Sequence, residues 1–190
     1  MGGTGNISWT AFEQNIGSDF GGGIVGYQAA IVLNQATFAG NTAGDGSVIA
    51  MYNSAVEIQN SIIWGNNGNI FRVTTDNNTS TIGLSFSNVE GGAAAIPSTD
   101  SLIVGIGAGL LNEDPDYCNV EDNDYRVSDG SNCVTASDSG SIIGAYENTC
   151  EGPLTIRSKN DFHLGFQLKQ NYPNPFNPTT TIEYNLVESG

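Results

Sequence analysis

Basic side chains are scarce in this chain of 190 residues: 5 Lys and Arg stand against 20 Asp and Glu, which gives a formal net charge of -15. Phosphate backbones and anionic lipids repel a chain of this charge, so nucleic acid and membrane-surface partners are disfavoured. No apolar run approaches the roughly 18 residues that a transmembrane helix needs, and we expect no membrane insertion. The first residues also lack the basic and apolar regions of a signal peptide.

Cysteine and histidine are scarce as well. The three cysteines, Cys118, Cys133 and Cys150, are an odd number and allow at most one internal disulfide. They form no Cys-x-x-Cys pair for zinc. The single histidine, His163, has no Ser or Cys nucleophile pattern nearby and is interpreted as an exposed linker residue. From these residue types we expect no cofactor.

The abundant residue types predict strands and turns. Charged residues make up 13% of the chain and hydrophobic ones 38%, which is too apolar for an acidic disordered tail and predicts a packed core. Glycine is frequent, with 25 residues, and Asn, Ser and Thr outnumber the good helix formers.

A repeat of about 25 residues runs through the first half of the chain. Residues 24–41 align with residues 49–66 without a gap. A shorter copy precedes them at residues 10–15, and a weaker copy follows at residues 84–92. Within each copy, apolar residues alternate and a Gly-Asn turn follows, which is typical of strands. The pattern predicts four rungs.

Stacking these rungs in register gives columns of like residues. The predicted apolar columns are Phe12, Phe38 and Ile63, and Leu33, Ile58 and Leu84. Asn15, Asn41 and Asn66 fall in a third column, where each amide could bond the next. Alternatively, these asparagines are turn residues that tolerate left-handed geometry.

The rung pattern resembles that of the right-handed parallel β-helix proteins that bacteria secrete. The matching residues lie in segments 21–24, 36–43, 60–66 and 85–92. The resemblance implies an all-β fold in which residues 1–95 form a solenoid with a C-terminal cap. It does not identify a function, because the fold hosts pectin-cleaving enzymes, tailspikes and adhesins alike.

Residues 96–152 look like the closing segment of such proteins and are strongly acidic. Residues 96–151 hold 11 acidic side chains and one basic side chain, Arg126. A cap would cover the strand edges and apolar cross-section of the last coil. The resemblance also implies that Cys118 pairs with Cys133 and leaves Cys150 as a free thiol.

The same segment offers a weak calcium candidate. Calcium prefers clustered oxygen ligands, but the spacing fits no EF-hand loop, and a solvated acidic face is the simpler interpretation. The candidate ligands are Asp114, Asp116, Glu121, Asp122 and Asp124.

Evidence for catalysis is slight. Asp19 and Asp45 should stack on successive rungs, where two carboxylates could act as a retaining glycosidase pair, although each also looks like a turn residue. Arg72 is the only basic residue of the rungs, which disfavours a lyase. Trp9 and Trp64 could stack on sugar rings or pack in the core.

The C-terminal segment closely resembles the opening of the type A C-terminal sorting domain recognised by the type IX secretion system. The residues that carry this resemblance are Asn171, Tyr172, Pro173, Asn174, Pro175, Phe176, Asn177, Pro178 and Thr179. It implies a linker at 153–165 and an incomplete β-sandwich at 166–190, and therefore a fragment of a longer bacterial protein. The implied partner is the secretion machinery, and the implied location is extracellular or at the cell surface.

Taken together, the sequence predicts an exported β-helix protein that acts in surface binding or adhesion, with surface polysaccharide as the expected ligand. The rungs show no converging titratable cluster, which favours recognition over catalysis in this segment and leaves the enzyme question open. Two alternatives stay open: a polysaccharide-degrading enzyme with catalytic rungs outside this chain, and a structural stalk.

Overall fold

A computed structural model of the chain describes residues 3–74, 76 and 78–150, and the backbone of two short strands at Gln167–Leu168 and Tyr184–Asn185. The chain divides into two units, residues 1–150 and 151–190. The predicted linker at 153–165 and the predicted sorting residues Asn171–Thr179 lie outside the described residues.

Short strands make up the first unit. They are β1 (Thr4–Glu13), β2 (Ile24–Tyr27), β3 (Ala30–Ala39), β4 (Ile49–Tyr52), β5 (Ala55–Gln59), β6 (Ile62–Trp64), β7 (Phe71–Thr74), β8 (Ser80–Ser85), β9 (Asn88–Val89), β10 (Leu102–Ile106), β11 (Tyr117–Asn119) and β12 (Asp124–Val127). Single 3₁₀ turns lie at Gly92–Ala95, Val120–Asp122 and Asn132–Thr135.

The strands β1 to β10 wind into a parallel β-solenoid of about four turns. One sheet has the order β10-β8-β5-β3-β6-β9, with β1 also paired to β3, and a second sheet has the order β2-β4-β7. The long strand β3 pairs with β5 through its first half and with β6 through its second half. Each full turn therefore has three faces, and the predicted rungs are confirmed.

Corners between the faces recur at equivalent positions of successive rungs. At the corner that splits β3, Trp9, Gln35, Asn60 and Phe86 all have a positive φ, between 47° and 56°. This left-handed geometry is uncommon for residues with a side chain, and its repetition shows that stacking imposes the bend on each rung.

The predicted apolar columns are confirmed. The rings of Phe12 and Phe38 stack with centroids 4.6 Å apart, and Phe38 pairs with Ile63. Leu33 pairs with Ile58, and Ile58 with Leu84 in the next rung. Because parallel strands in register place like residues above one another, four marginal rungs share one continuous core.

The asparagine column also forms a hydrogen-bonded ladder. Asn15 Nδ2 donates to Asn41 Oδ1 at 2.9 Å, and Asn41 Nδ2 donates to Asn66 Oδ1 at 2.9 Å. The left-handed turn conformation belongs instead to the preceding residues, with φ of 67° at Gly40 and 71° at Gly65. Of the two interpretations, the ladder is therefore the one that the structure supports.

Replacing Asn41 with leucine should destabilise the solenoid by about 2–4 kcal/mol, because fully buried polar groups lose their partners. Asn41 is 0% exposed, and its amide also donates to the Phe12 carbonyl oxygen at 2.7 Å. Chemical denaturation followed by circular dichroism measures the change. Asn15→Leu is the matched control, since Asn15 ends the ladder and is exposed. Equal losses for the two variants would contradict the ladder's role.

Serine hydroxyls form further columns that the sequence analysis did not predict. Ser61 Oγ accepts a hydrogen bond from the Ala36 amide at 3.0 Å, and Ser87 Oγ accepts one from the Ser61 amide at 3.1 Å. These side chains satisfy amide groups at the corners, where the strand ladder is interrupted.

The acidic region does not close the end of the solenoid as a cap. Residues 112–150, called the lateral segment below, pack along its side. The Ala145 amide donates to Thr37 Oγ1 at 2.9 Å, the Gly144 amide donates to the Asn60 carbonyl oxygen at 2.8 Å, and Tyr146 OH donates to Glu13 Oε1 at 2.6 Å. These contacts reach three successive rungs, so the predicted closing role is corrected to a lateral one.

Strand β10 lies at one end of the larger sheet. β10 pairs in parallel with β8, so the solenoid continues past residue 95, the predicted end of the rungs. Ile103, Val104 and Ile106 of β10 are 61%, 41% and 45% exposed.

The predicted disulfide is wrong. Cys118 bonds to Cys150, and Cys133 is the buried free cysteine. Cys133 lies in an apolar cluster with Ile62 and Ile143, where Asn88 Nδ2 donates to its sulfur at 3.3 Å. Burial raises the pKa of the Cys133 thiol. The thiol is therefore part of the core between the solenoid and the lateral segment, and the more exposed Cys118 and Cys150 are left to pair.

Candidate functional site

The outer face of the β2-β4-β7 sheet carries exposed aromatic side chains. Along β2 the side chains alternate, so that Val25 and Tyr27 point away from the core and are 57% and 66% exposed. The parallel register sets Tyr27 beside Tyr52 and Val25 beside Ala50. Two successive rungs thus repeat one small and one aromatic position.

These residues line an open groove of about 240 Å³. On one side the rings of Tyr27 and Tyr52 stack, with centroids 4.8 Å apart and planes 2° apart. On the other side the Arg72 guanidinium carbon lies 4.6 Å from the centroid of the Phe20 ring. Ala50 also lines the groove and pairs with Arg72 in the next rung. We call this surface the aromatic groove.

A carboxylate is fixed beside Tyr52. A hydrogen bond from the tyrosine hydroxyl lowers the pKa of Asp76, and the same bond raises the pKa of Tyr52. Asn53 Nδ2 donates to Asp76 Oδ1, and Asn78 Nδ2 donates to the same oxygen at 3.1 Å. Asp76 is ionised at neutral pH, and two side-chain amides hold it in place.

A second carboxylate lies beside Arg72. Asp45 Oδ2 is 3.9 Å from Arg72 Nε, and Asp45 Oδ1 accepts a hydrogen bond from Asn69 Nδ2 at 3.2 Å. The groove therefore has an acidic group near each of its sides, and polar amides orient both.

The predicted catalytic pair is out of register. Asp19 and Asp45 do lie on adjacent rungs, and the Asp45 amide donates to the Asp19 carbonyl oxygen at 3.1 Å. However, the residue that pairs with Asp45 is Phe20. The sequence spacing between these rungs changes within the turn, because Ile16 pairs with Thr42 and is 26 residues away from it, whereas Phe20 and Asp45 are 25 apart. The expected side-by-side stacking of the two aspartates is thereby displaced by one residue.

Three of the predicted calcium ligands form separate local contacts. Asp124 pairs with Arg126, Asp122 accepts from Asn119 at 2.7 Å, and Asp114 accepts from the Asp116 amide at 2.9 Å. Over residues 3–74, 76 and 78–150, no group of three or more His, Cys, Asp and Glu side chains could hold a metal ion.

The two tryptophans are not in the aromatic groove. Trp9 is 62% exposed at a corner of the first rung, whereas Trp64 packs against the apolar cluster under the lateral segment. The groove residues Phe20, Tyr27 and Tyr52 were missed as a site. Two signals in the sequence point to them: the repeat conserves tyrosine at both 27 and 52, and strand alternation places Tyr27 on the face opposite Ile24.

Comparisons with known proteins found no relative of the chain. No protein-family profile matches the chain, and no similar protein was found among curated sequences or among solved structures. Within the part of the chain that the structure describes, no helix has the length and apolar character to cross a membrane.

Proposed function

We propose that the chain is a surface-binding module and that its aromatic groove holds a carbohydrate. The observation that carries the proposal is the arrangement of Phe20, Tyr27 and Tyr52 around an apolar groove. Two carboxylates, Asp45 and Asp76, lie next to residues that line it. Sugars offer apolar C–H faces and hydroxyl edges, which such a surface matches with aromatic contacts and hydrogen-bond acceptors. The pKa of Asp76 is lowered, whereas a general acid needs a raised pKa, and this supports binding over cleavage.

We also propose that the chain is an exported bacterial β-helix protein. The right-handed winding, the bacterial origin and the extracellular location are supported by the resemblance of segments 21–24, 36–43, 60–66 and 85–92 to secreted β-helix proteins. Export through the type IX machinery is supported by the sequence of residues 166–186. In this proposal the solenoid displays the groove outside the cell, where it attaches to polysaccharide.

Removing the stacked tyrosines together, as Tyr27→Ala and Tyr52→Ala, should weaken glycan binding at least about tenfold. Each aromatic contact contributes about 0.5–1.5 kcal/mol, and about 1.4 kcal/mol corresponds to a factor of ten. Affinity electrophoresis against a polysaccharide panel identifies a ligand, and calorimetry then measures the dissociation constant.

Trp9→Ala is the matched control, because Trp9 is similarly exposed but lies outside the groove. It should bind as well as the parent chain. Loss of binding in the Trp9 variant with full retention in the tyrosine variant would move the site away from the groove.

A further inference from the structure

We infer that the aromatic groove selects uncharged carbohydrate and rejects uronic acids. The inference rests on the proposed function and specifies its ligand class. It follows from the balance of charge around the groove, from the partners of Arg72, and from the state of Asp76.

Negative charge dominates the surroundings of the groove. Asp45 and Asp76 stand near its two sides, and the whole chain carries a net charge of -15. Among residues 3–74, 76 and 78–150 the only basic side chains are Arg72 and Arg126, and Arg126 is paired with Asp124 in the lateral segment. A polyanionic chain approaching the groove therefore meets repulsion at long range, which salt would screen.

Arg72, the one cation that the described residues place at the groove, already has partners. Its guanidinium lies over the Phe20 ring at 4.6 Å, and its Nε is 3.9 Å from Asp45 Oδ2 and 3.4 Å from Thr74 Oγ1. A uronate carboxylate would have to compete with Asp45 for this single guanidinium. Arg72 thus shapes the groove wall and does not supply an uncompensated positive charge.

The rim is instead suited to hydroxyl groups. An ionised carboxylate is an acceptor only, and it forms its stronger, charge-assisted hydrogen bonds with donors such as sugar hydroxyls. Asp76 is ionised at neutral pH, as exposed aspartates are, and hydrogen bonds from Tyr52 and Asn53 lower its pKa further. Asn53 and Asn78 donate to the same oxygen and orient the carboxylate. A neutral sugar contributes donors to this carboxylate, whereas a uronate adds a second negative charge.

A matched pair of ligands tests the selection. Oligogalacturonates of defined length and their carboxyl-reduced forms differ only at the C6 group, and both are titrated into the full chain by calorimetry. Neutral hexasaccharides of glucan, mannan and xylan extend the uncharged set. At low salt, an uncharged ligand should bind at least about tenfold more tightly than the uronate, and added sodium chloride should narrow the difference.

Two variants separate the effect of Asp45 on binding from the effect of Asp76. Asp45→Asn should improve uronate binding, because it removes a negative charge that lies 3.9 Å from Arg72 Nε. Asp76→Asn should weaken the neutral ligand several-fold, because a charged acceptor becomes a neutral amide. Circular dichroism confirms that both variants are folded.

The outcomes are distinguishable. Tighter binding of the uronate than of its reduced form, lost in Arg72→Gln, would overturn the selection for uncharged sugar and leave the proposed function standing. Binding of neither class by the folded parent chain would overturn the proposed function and the selection together.

Discussion

Replacing Phe38 with alanine is expected to lower the free energy of unfolding by about 3–5 kcal/mol, the usual cost of removing a large buried aromatic ring. Phe38 is 0% exposed, stacks on Phe12 and pairs with Ile63, so its loss opens a cavity that three rungs share. Each rung depends on its neighbours for a buried face, and the damage should spread along the solenoid. Urea denaturation followed by far-ultraviolet circular dichroism measures the change.

Val32→Ala is the control on the same strand. Val32 is 40% exposed on the outer face of β3, and its replacement should cost no more than about 0.5 kcal/mol. A loss for Phe38→Ala as small as that for Val32→Ala would contradict the stacked core.

Breaking the disulfide should have an effect of similar size. The bond between Cys118 and Cys150 closes a loop with a sequence separation of 32 residues. In the chain-entropy treatment, a cross-link over a loop of this length stabilises the folded state by about 4 kcal/mol. Cys118→Ser is therefore expected to lower the unfolding free energy by about that amount under oxidising conditions, measured by the same urea denaturation.

Reducing agent supplies the control, because the parent chain should then lose the same stability and the difference between the two proteins should disappear. Peptide mapping without reductant should recover Cys118 joined to Cys150. Cys133→Ala should leave that linked peptide in place. A peptide linking Cys118 to Cys133, or equal stability of parent and variant without reductant, would contradict the assignment.

The register between rungs could be predicted from the sequence, because equivalent residues of successive repeats lie above one another in the solenoid. The gap-free alignment at an offset of about 25 residues brings together residues that pair in the structure, such as Phe38 with Ile63 and Leu33 with Ile58. The asparagine ladder follows for the same reason, since Asn41 and Asn66 occupy equivalent turns. These contacts join residues that are one repeat apart, so the repeat in a single sequence is enough to predict them.

The position of the lateral segment could not be predicted, because it depends on contacts between distant residues. Tyr146 meets Glu13 across 133 residues, and Ala145 meets Thr37 across 108. No repeat encodes such a contact. The disulfide prediction failed with it, because the burial of Cys133 follows from the packing of this segment against Ile62.

The candidate site was hidden for a different reason. The side chains of the aromatic groove point outward from a coil with three faces. A tyrosine repeated at 27 and 52 fits a place in the core equally well until the structure shows which side of each strand faces the core. The aspartate pair shows the limit of register arguments, because a change in spacing of one residue between Ile16 and Phe20 displaces the carboxylates.

The claim that the aromatic groove is the carbohydrate site is tested most directly by a nitrogen-15 heteronuclear NMR titration with the tightest uncharged oligosaccharide. Amide shifts are expected to concentrate at residues 25–27, residues 50–53 and Arg72. Little change is expected at Trp9 or along β10. Shifts centred on Trp9, on Trp64 beside the lateral segment, or on β10, with the groove amides unmoved, would contradict it.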